Sequence, residues 1–201
     1  RLTRKTHQGV ICFISLVSFD SIENILPTVY EQGKTPLILI LDRITDVRNF
    51  GAISRTAECA GVNAIIIPMK TTAQINSDAI KTSAGALHRI PICRSKGFKE
   101  TIDFLKNSGV QIVACAEKAP NSYYEIDYSL PTAIILGSEE NGIAKEYLNP
   151  SDSQVKIPML GEIESLNVSV TAGIVLFEAI RQRENYLSPM SQISSPKPAC
   201  R

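Results

Sequence analysis

Small polar side chains are crowded where a long apolar segment begins near the C-terminus. The stretch ESLNVSVTAGIVLFEAIRQR predicts a helix, yet Ser165, Asn167, Ser169 and Thr171 fall within seven positions at its start. Residues 174–180 are apolar around nearly the whole helix, which predicts burial on most sides. Buried polar groups must form hydrogen bonds. Capping explains Ser165 or Asn167, so the remaining residues are expected to satisfy backbone and ligand groups in a crowded site.

A second polar stretch, LDRITDVRNFGAISRTAECAGV, follows a strand that ends at Asp42. A helix is predicted to begin near Asn49, whose side chain would cap it. The helical period places one set of residues on a common face: Ile53, Thr56, Ala57 and Ala60. Arg55 lies roughly opposite that face, so it is free to reach a ligand or partner. An ordinary solvated arginine is the alternative interpretation.

A third stretch, IILGSEENGI, joins a buried strand to a glycine turn. Gly137 allows a close approach that a side chain would block. The turn lacks the GxxxxGK[ST] pattern of a phosphate loop, since Ile143 follows its second glycine, and the chain lacks GxGxxG. The acidic pair Glu139 and Glu140 would repel phosphates, so a cationic or hydroxyl-rich ligand fits better. A plain strand–turn–helix connection is the alternative.

Strand and helix patterns alternate along the chain. The predicted strands are Val10–Val17, Pro36–Asp42, Ala64–Pro68, His88–Cys93, Gln111–Ala116, Thr132–Gly137 and Gln154–Ile157. The predicted helices are Ser21–Gln32, Asn49–Ala60, Asp78–Ala84, Gly97–Asn107, Ala144–Leu148 and Leu166–Asn185. This alternation predicts an α/β fold with a mainly parallel sheet. Continuous apolar strands such as LILIL indicate that helices cover both faces of the sheet.

Composition limits the remaining possibilities. The 201 residues carry a net charge of +1, which is weak support for a nucleic-acid partner. Basic residues nevertheless cluster at the start and within 94–99 and 181–183. The apolar runs are too short to span a membrane. Five scattered cysteines without a CxxC pair argue against a disulfide framework or a zinc site and favour a reducing, cytoplasmic location.

The three stretches together resemble the signature motifs of the SpoU-type RNA ribose methyltransferases, in the SPOUT superfamily. The resemblance lies in NFGAISRTA, LGSEENGI and IPMLGEIESLNVSVTAGIVLFE, which keep the order and internal spacing of the family motifs. The match runs from about Val10 to Arg183. THQGV also resembles the linker that follows an N-terminal RNA-binding domain in the ribosomal-RNA members. Residues 1–9 are therefore expected to be that linker, 10–185 the methyltransferase domain and 186–201 a disordered Ser/Pro-rich tail.

The resemblance implies a C-terminal trefoil knot, a homodimer, S-adenosylmethionine as methyl donor and a ribose 2′-hydroxyl of RNA as acceptor. Its catalytic positions fall on Asn49, Arg55, Glu139, Ser165 and Asn167. Its cofactor-binding positions fall on Gly137, Ile157 and Leu166, and Met159 is expected to line the same pocket. It implies no metal, and the sequence shows no cluster of metal ligands.

The expected chemistry assigns Arg55 an electrostatic role. A free hydroxyl is a poor nucleophile, and neither histidine is placed to act as base, since His7 falls in the linker and His88 at a strand start. An arginine pKa above ~12 makes Arg55 a poor base as well. We therefore expect Arg55 to bind the RNA phosphate or hydroxyl and stabilise negative charge on the oxygen, with Glu139 holding the loops.

Three functions stay open from the sequence. A methyltransferase is favoured over a catalytically silent RNA-binding relative and over a nucleotide-dependent enzyme on an ordinary doubly wound fold. Among substrates, a guanosine of large-subunit ribosomal RNA is favoured over transfer RNA. Because the net charge is near neutral, we expect this chain alone to bind RNA weakly.

Overall fold

The computed structural model describes residues 17–70, 72–73 and 75–191, with side chains up to Glu184. Within these ranges the strands are β1 Phe19–Asp20, β2 Leu37–Asp42, β3 Ala64–Pro68, β4 Ile92–Ser95, β5 Gln111–Cys115, β6 Asn121–Ser122, β7 Thr132–Gly137 and β8 Ser153–Lys156. The α-helices are α1 Ile22–Glu31, α2 Val47–Cys59, α3 Ser77–Thr82, α4 Phe98–Asn107, α5 Lys145–Leu148 and α6 Val168–Ser191. Two 3₁₀ turns are Ala86–His88 and Tyr123–Glu125.

All eight strands belong to one sheet, in the order β1-β4-β3-β2-β7-β5-β8-β6. Every pair of neighbouring strands is parallel. The carboxyl ends of the strands therefore lie along one edge, which is where open α/β sheets bind ligands. The central pair β2 and β7 is in register from Leu37 opposite Thr132 to Asp42 opposite Gly137. The predicted parallel α/β sheet is confirmed.

Helices cover both faces of this sheet, as predicted. Side chains alternate along a strand, so Leu39 and Leu41 of β2 pack in the core that α2 and α6 cover. Ile38 and Ile40 point to the other face, where α1 and α4 contribute the core. All six residues of β2 are buried, which explains why this strand is continuously apolar instead of alternating.

Several element boundaries differ from the sequence-based expectation, and the largest differences concern β4, the first predicted strand and α6. The strand predicted at His88–Cys93 is Ile92–Ser95, because Gly85, with φ of 87°, starts a 3₁₀ turn that includes the exposed His88. Pairing with β3 begins only at Ile92. Of the predicted strand Val10–Val17, only Val17 lies within the described residues, and it is a bend.

The C-terminal helix also exceeds its predicted length. α6 continues to Ser191, so residues 186–191 of the predicted tail are helical. Residues 192–201 of that tail, like the predicted linker 1–9, lie outside the described residues. The predicted burial of residues 174–180 on most sides is confirmed, with the exception of Phe177, whose side chain is 52% exposed.

Arg183 ties α6 to the amino ends of the two central strands. Its guanidinium donates to the carbonyl oxygens of Tyr128 at 2.9 Å, Thr35 at 2.9 Å, Pro36 at 2.9 Å and Leu130 at 3.1 Å. Burial lowers the pKa of Arg183 from its ordinary value. One of the two arginines in the basic segment 181–183 is therefore structural. The other arginine, Arg181, forms an ion pair with Glu178.

Replacing Arg183 with methionine is expected to lower the free energy of unfolding by about 3 kcal/mol or more, since it removes a charged donor and leaves carbonyl groups without partners. Urea unfolding followed by circular dichroism measures the loss. Arg181→Met is the matched control, because Arg181 is exposed and only pairs along its own helix, so its midpoint should stay close to that of the parent. Equal midpoints for the two variants would contradict the role given to Arg183.

Candidate active site

A hydrogen-bonded cluster joins three segments that are distant in sequence. Glu139 Oε1 accepts from Asn167 Nδ2 at 2.7 Å, from Asn49 Nδ2 at 3.2 Å and from the backbone N–H of Val168 at 3.2 Å. Asn167 Nδ2 also donates to Asn49 Oδ1 at 3.0 Å. Three of the five predicted catalytic residues, Asn49, Glu139 and Asn167, are thus in direct contact.

The start of α2 explains why Asn49 is available for this cluster. Asp46, not Asn49, caps the helix, and its carboxylate accepts from the backbone N–H of Asn49 at 2.8 Å. The predicted N-cap is therefore wrong by three residues. An aspartate at this position satisfies the orphan donor at the helix start, which leaves the side-chain amide of Asn49 free to bond Glu139 and Asn167.

The start of α6 accounts for the crowded polar residues. Asn167 Oδ1 accepts from the backbone N–H of Ser169 at 2.9 Å and also from the Ser169 hydroxyl. Of the two residues predicted as the possible cap, Ser165 and Asn167, it is therefore Asn167 that caps the helix. Ser165 and Thr171 line the adjoining cavity. The polar side chains therefore have separate roles. Asn167 caps the helix and bonds Glu139, whereas Ser165 and Thr171 form part of the cavity wall.

A cavity of about 830 Å³ opens beside this cluster at the carboxyl edge of the sheet. Its walls include all four residues predicted to bind the cofactor, namely Gly137, Ile157, Met159 and Leu166. Glu139 and Ser165 also line it. Most ligand pockets measure roughly 300–1,000 Å³, so this cavity can hold a nucleoside-sized molecule. The three motifs thus converge on one cleft.

One wall of the cavity was missed in the sequence. The end of β5 and the turn after it contribute Cys115, Glu117 and Lys118 to the lining. The strand order explains this contribution, because β5 lies between β7 and β8. Burial raises the pKa of the Cys115 thiol to about 12, so Cys115 stays protonated at neutral pH and is not a nucleophile.

The glycine turn that forms the cavity floor is tightly folded on itself. The backbone N–H of Gly142 donates to the carbonyl of Ser138 at 2.8 Å, and the returning arm packs directly against Gly137. A Cβ atom at Gly137 would lie 2.1 Å from the carbonyl carbon of Gly142. Glycine is therefore required at position 137 for contact with its own loop.

Arg55, the fourth predicted catalytic residue, lies on α2 about 9 Å along the helix axis from Asn49. Its side chain is exposed, and it forms no hydrogen bond or ion pair with any other described residue. It is absent from the residues that line the cavity. Ser165, the fifth, contacts the cavity but not the Glu139 cluster. Arg55 is thus placed to bind a partner from solvent.

Among the residues that the structure describes, no group of three or more His, Cys, Asp or Glu side chains is arranged to hold a metal ion. The helices in this part of the chain include none that is both long and apolar enough to cross a membrane.

The fold and site define a class of α/β domain that binds a small molecule at the carboxyl edge of a parallel sheet, without a phosphate-binding loop. The SpoU rRNA methylase family model matches residues 36–177, and the chain belongs to this family.

Relatives and solved structures agree with this membership. The chain is 38% identical over 192 residues to the 23S rRNA (guanosine-2'-O-)-methyltransferase RlmB of Vibrio parahaemolyticus, covering 91% of this chain and 77% of the relative. An AdoMet-bound rRNA methyltransferase from Sinorhizobium meliloti is 32% identical with a TM-score of 0.74, covering 82% of this chain and 61% of that one. The A. aeolicus TrmH/SpoU tRNA modifying enzyme is 32% identical with a TM-score of 0.70, covering 82% and 85%. The trefoil knot stays a prediction.

Proposed function

We propose that the chain transfers a methyl group from S-adenosylmethionine to a ribose 2′-hydroxyl of RNA. The observation that carries this proposal is the meeting of the three family motifs at one edge of the sheet. There the cavity with Gly137, Ile157 and Leu166 in its walls adjoins the cluster of Asn49, Glu139 and Asn167.

The cavity fits S-adenosylmethionine in size and in the chemistry of its walls. Ile157, Met159 and Leu166 provide apolar surface, whereas Glu139 and Ser165 provide polar groups. Glu139 Oε2 accepts no hydrogen bond from any described residue, so it is available to a cationic or hydroxyl-bearing ligand. When bound, the cofactor supplies a methyl group already activated by its sulfonium.

The residues of the chain then position the acceptor and stabilise charge. Arg55 binds the RNA through a phosphate or the reacting hydroxyl, and its unpaired guanidinium stabilises negative charge that develops on the oxygen. It does not act as base, because arginine keeps its proton in proteins, and the hydroxyl proton passes to solvent water as the methyl group is transferred. Asn49, Asn167 and Ser165 orient the nucleotide and the loops, while Glu139 joins α2 to α6 through its three hydrogen bonds.

Ribosomal RNA is the favoured substrate, and a guanosine of the large subunit is the favoured target. The reason is that the relatives named RlmB are described as 23S rRNA (guanosine-2'-O-)-methyltransferases. Transfer RNA is the alternative, supported by the likeness to a tRNA modifying enzyme. A silent RNA-binding relative is disfavoured, since the Asn49–Glu139–Asn167 cluster is complete. A cytoplasmic location follows from this substrate.

Two measurements test the proposal. In calorimetry, S-adenosylhomocysteine should bind, whereas NAD and ATP should give no heat. Binding of NAD or ATP alone would support a nucleotide-dependent enzyme instead. Mapping ribose methylation in RNA from cells with and without the intact protein then identifies the target, and an unchanged map would contradict the activity.

A homodimer is part of the proposal, and an exposed apolar surface supports it. On α6, Val170 is 49% and Phe177 is 52% exposed, and their spacing of seven puts them on one side of the helix. In the loop before α6, Leu160 is 101% and Ile163 is 78% exposed. Exposed large apolar side chains on neighbouring segments of the chain favour a contact between proteins.

Replacing Phe177 with glutamate is expected to convert the dimer to a monomer, because a charge at the centre of an apolar contact loses its water without gaining a partner. Light scattering after size-exclusion chromatography gives the mass directly. Tyr30→Glu is the matched control, since Tyr30 is 39% exposed on α1, which covers the other face of the sheet. A parent protein that is monomeric at micromolar concentration would contradict the dimer.

A further inference from the structure

The turn after β2 contains a residue in an unfavourable conformation. Arg43 has a φ of 55°, a left-handed backbone that side chains other than those of glycine, asparagine and aspartate rarely adopt. Nothing in the catalytic assignment uses this residue. A conformation of this kind persists only where surrounding contacts fix it, and it is often found at functional sites.

The contacts of the Arg43 side chain connect it to the glycine turn. Its Nε donates to Asp42 Oδ1 at 3.0 Å, and its Nη2 donates to Asp42 Oδ2 at 3.0 Å. Nη2 also donates to the carbonyl oxygen of Gly142 at 3.3 Å. The left-handed backbone lets the guanidinium fold back on the carboxylate of the preceding residue and still reach the loop after β7.

Asp42 is the second part of this connection. Its side chain is almost fully buried at the carboxyl end of β2, and its Oδ2 accepts from the backbone N–H of Ala144 at 2.9 Å. The Asp42–Arg43 pair therefore holds both Gly142 and Ala144. These residues end the loop whose other members, Gly137 and Glu139, line the cavity.

We propose that Arg43 is a positioning residue for methyl transfer, which holds the 137–144 loop in the shape that binds the cofactor. It acts through Asp42, Gly142 and Ala144 and does not touch the reacting groups. This inference rests on the proposed function, since the ligand of the loop is taken to be S-adenosylmethionine. Its physical basis is independent of that function. Arg43 Nη2 donates to the Gly142 carbonyl, and the buried Asp42 carboxylate accepts from the Ala144 N–H, so the pair holds the returning arm of the loop close to Gly137.

Replacing Arg43 with glycine separates fold stability from positioning. Glycine accepts a φ of 55° without strain, but the buried Asp42 carboxylate loses its charged partner, so the melting temperature should fall and binding is measured well below it. The dissociation constant for S-adenosylhomocysteine, measured by calorimetry, should rise ~tenfold or more. Arg43→Asn, which also tolerates the left-handed region, should behave in the same way.

Kinetics and hydrogen exchange provide readouts that a purely structural residue would not change. The KM for S-adenosylmethionine should rise by a factor similar to that of the dissociation constant, while kcat at saturating cofactor changes less than ~threefold. Amide exchange in the segment 138–148 should become faster. The Ala144 N–H donates to Asp42, and Arg43 no longer holds the Asp42 carboxylate in place.

Ala84→Gly is the matched control, since Ala84 is the other described residue besides glycine with positive φ, at 49°. It should leave cofactor binding unchanged. Parental affinity for S-adenosylhomocysteine in both Arg43→Gly and Arg43→Asn, with unchanged exchange in 138–148, would overturn the role of Arg43. Failure of the parent itself to bind S-adenosylhomocysteine would overturn the proposed function instead, and the exchange experiment would still test the contact between Arg43 and the loop.

Discussion

Replacing Arg55 with alanine is expected to lower the rate of methyl transfer to RNA by ~10²- to 10³-fold, the usual cost of removing one group that stabilises charge in a transition state. The melting temperature and the affinity for S-adenosylhomocysteine should not change, because Arg55 is exposed, does not line the cavity and forms no hydrogen bond or ion pair with a described residue. Transfer of labelled methyl groups to target RNA, under single-turnover conditions, measures this effect on the chemical step.

Two further variants test whether the effect at Arg55 depends on its guanidinium geometry and on its position. Arg55→Lys keeps the charge but loses the planar pair of donors, so it should recover little of the rate. Arg48→Ala removes a cation one heptad earlier on α2, on the same side of the helix. It should weaken RNA binding only a few-fold at low salt. Normal methyl transfer by Arg55→Lys or Arg55→Ala would contradict the assignment.

Replacing Gly137 with alanine is expected to abolish measurable cofactor binding, with a dissociation constant at least ~100-fold weaker. The added Cβ would lie 2.1 Å from the carbonyl carbon of Gly142 and 2.3 Å from its oxygen. Those atoms are backbone, so the loop must move as a whole, and the wall of the cavity moves with it. Calorimetry with S-adenosylhomocysteine measures the affinity, and thermal unfolding measures the accompanying loss of stability.

Gly173→Ala is the control for the Gly137 variant. Gly173 lies within α6, and a Cβ there would meet only Thr56 Cγ2 at an ordinary 3.9 Å. Alanine favours a helix interior by about 1 kcal/mol over glycine, so this variant should be as stable as the parent or more so. If Gly137→Ala bound the cofactor with parental affinity, the tight packing of the 137–144 loop would not be needed for the site.

The sequence predicted the sheet better than it predicted the ends of its helices. β3 and β7 were predicted to the residue, because both are buried apolar runs bounded by polar or turn residues. The cap of α2 was assigned to Asn49 and not to Asp46, since both side chains can accept the same backbone hydrogen bond. The cap depends on where the first turn of the helix begins, and α2 begins at Val47, directly after Asp46.

The convergence of the motifs could be predicted, but the neighbours of each loop could not. Carboxyl ends of parallel strands share one edge, so Asn49, Glu139 and Asn167 were expected near one another. The turn after β5 was missed, because its place beside the cavity depends on the order of strands in the sheet. Apolar residues on nearly every side of α6 also gave no sign of which side is exposed, which is why the exposure of Phe177 was not foreseen.

The bond between Asn49 and Asn167 spans 118 positions of the chain, and this separation affects when the protein acquires activity during synthesis. α2 and the loop of Glu139 leave the ribosome well before α6, so neither can form its hydrogen bonds with Asn167 until the C-terminal helix has docked. Contacts of such sequence separation form late and slowly in folding. A growing chain is therefore inactive until α6 has been made and has docked, even where most of the sheet has already folded.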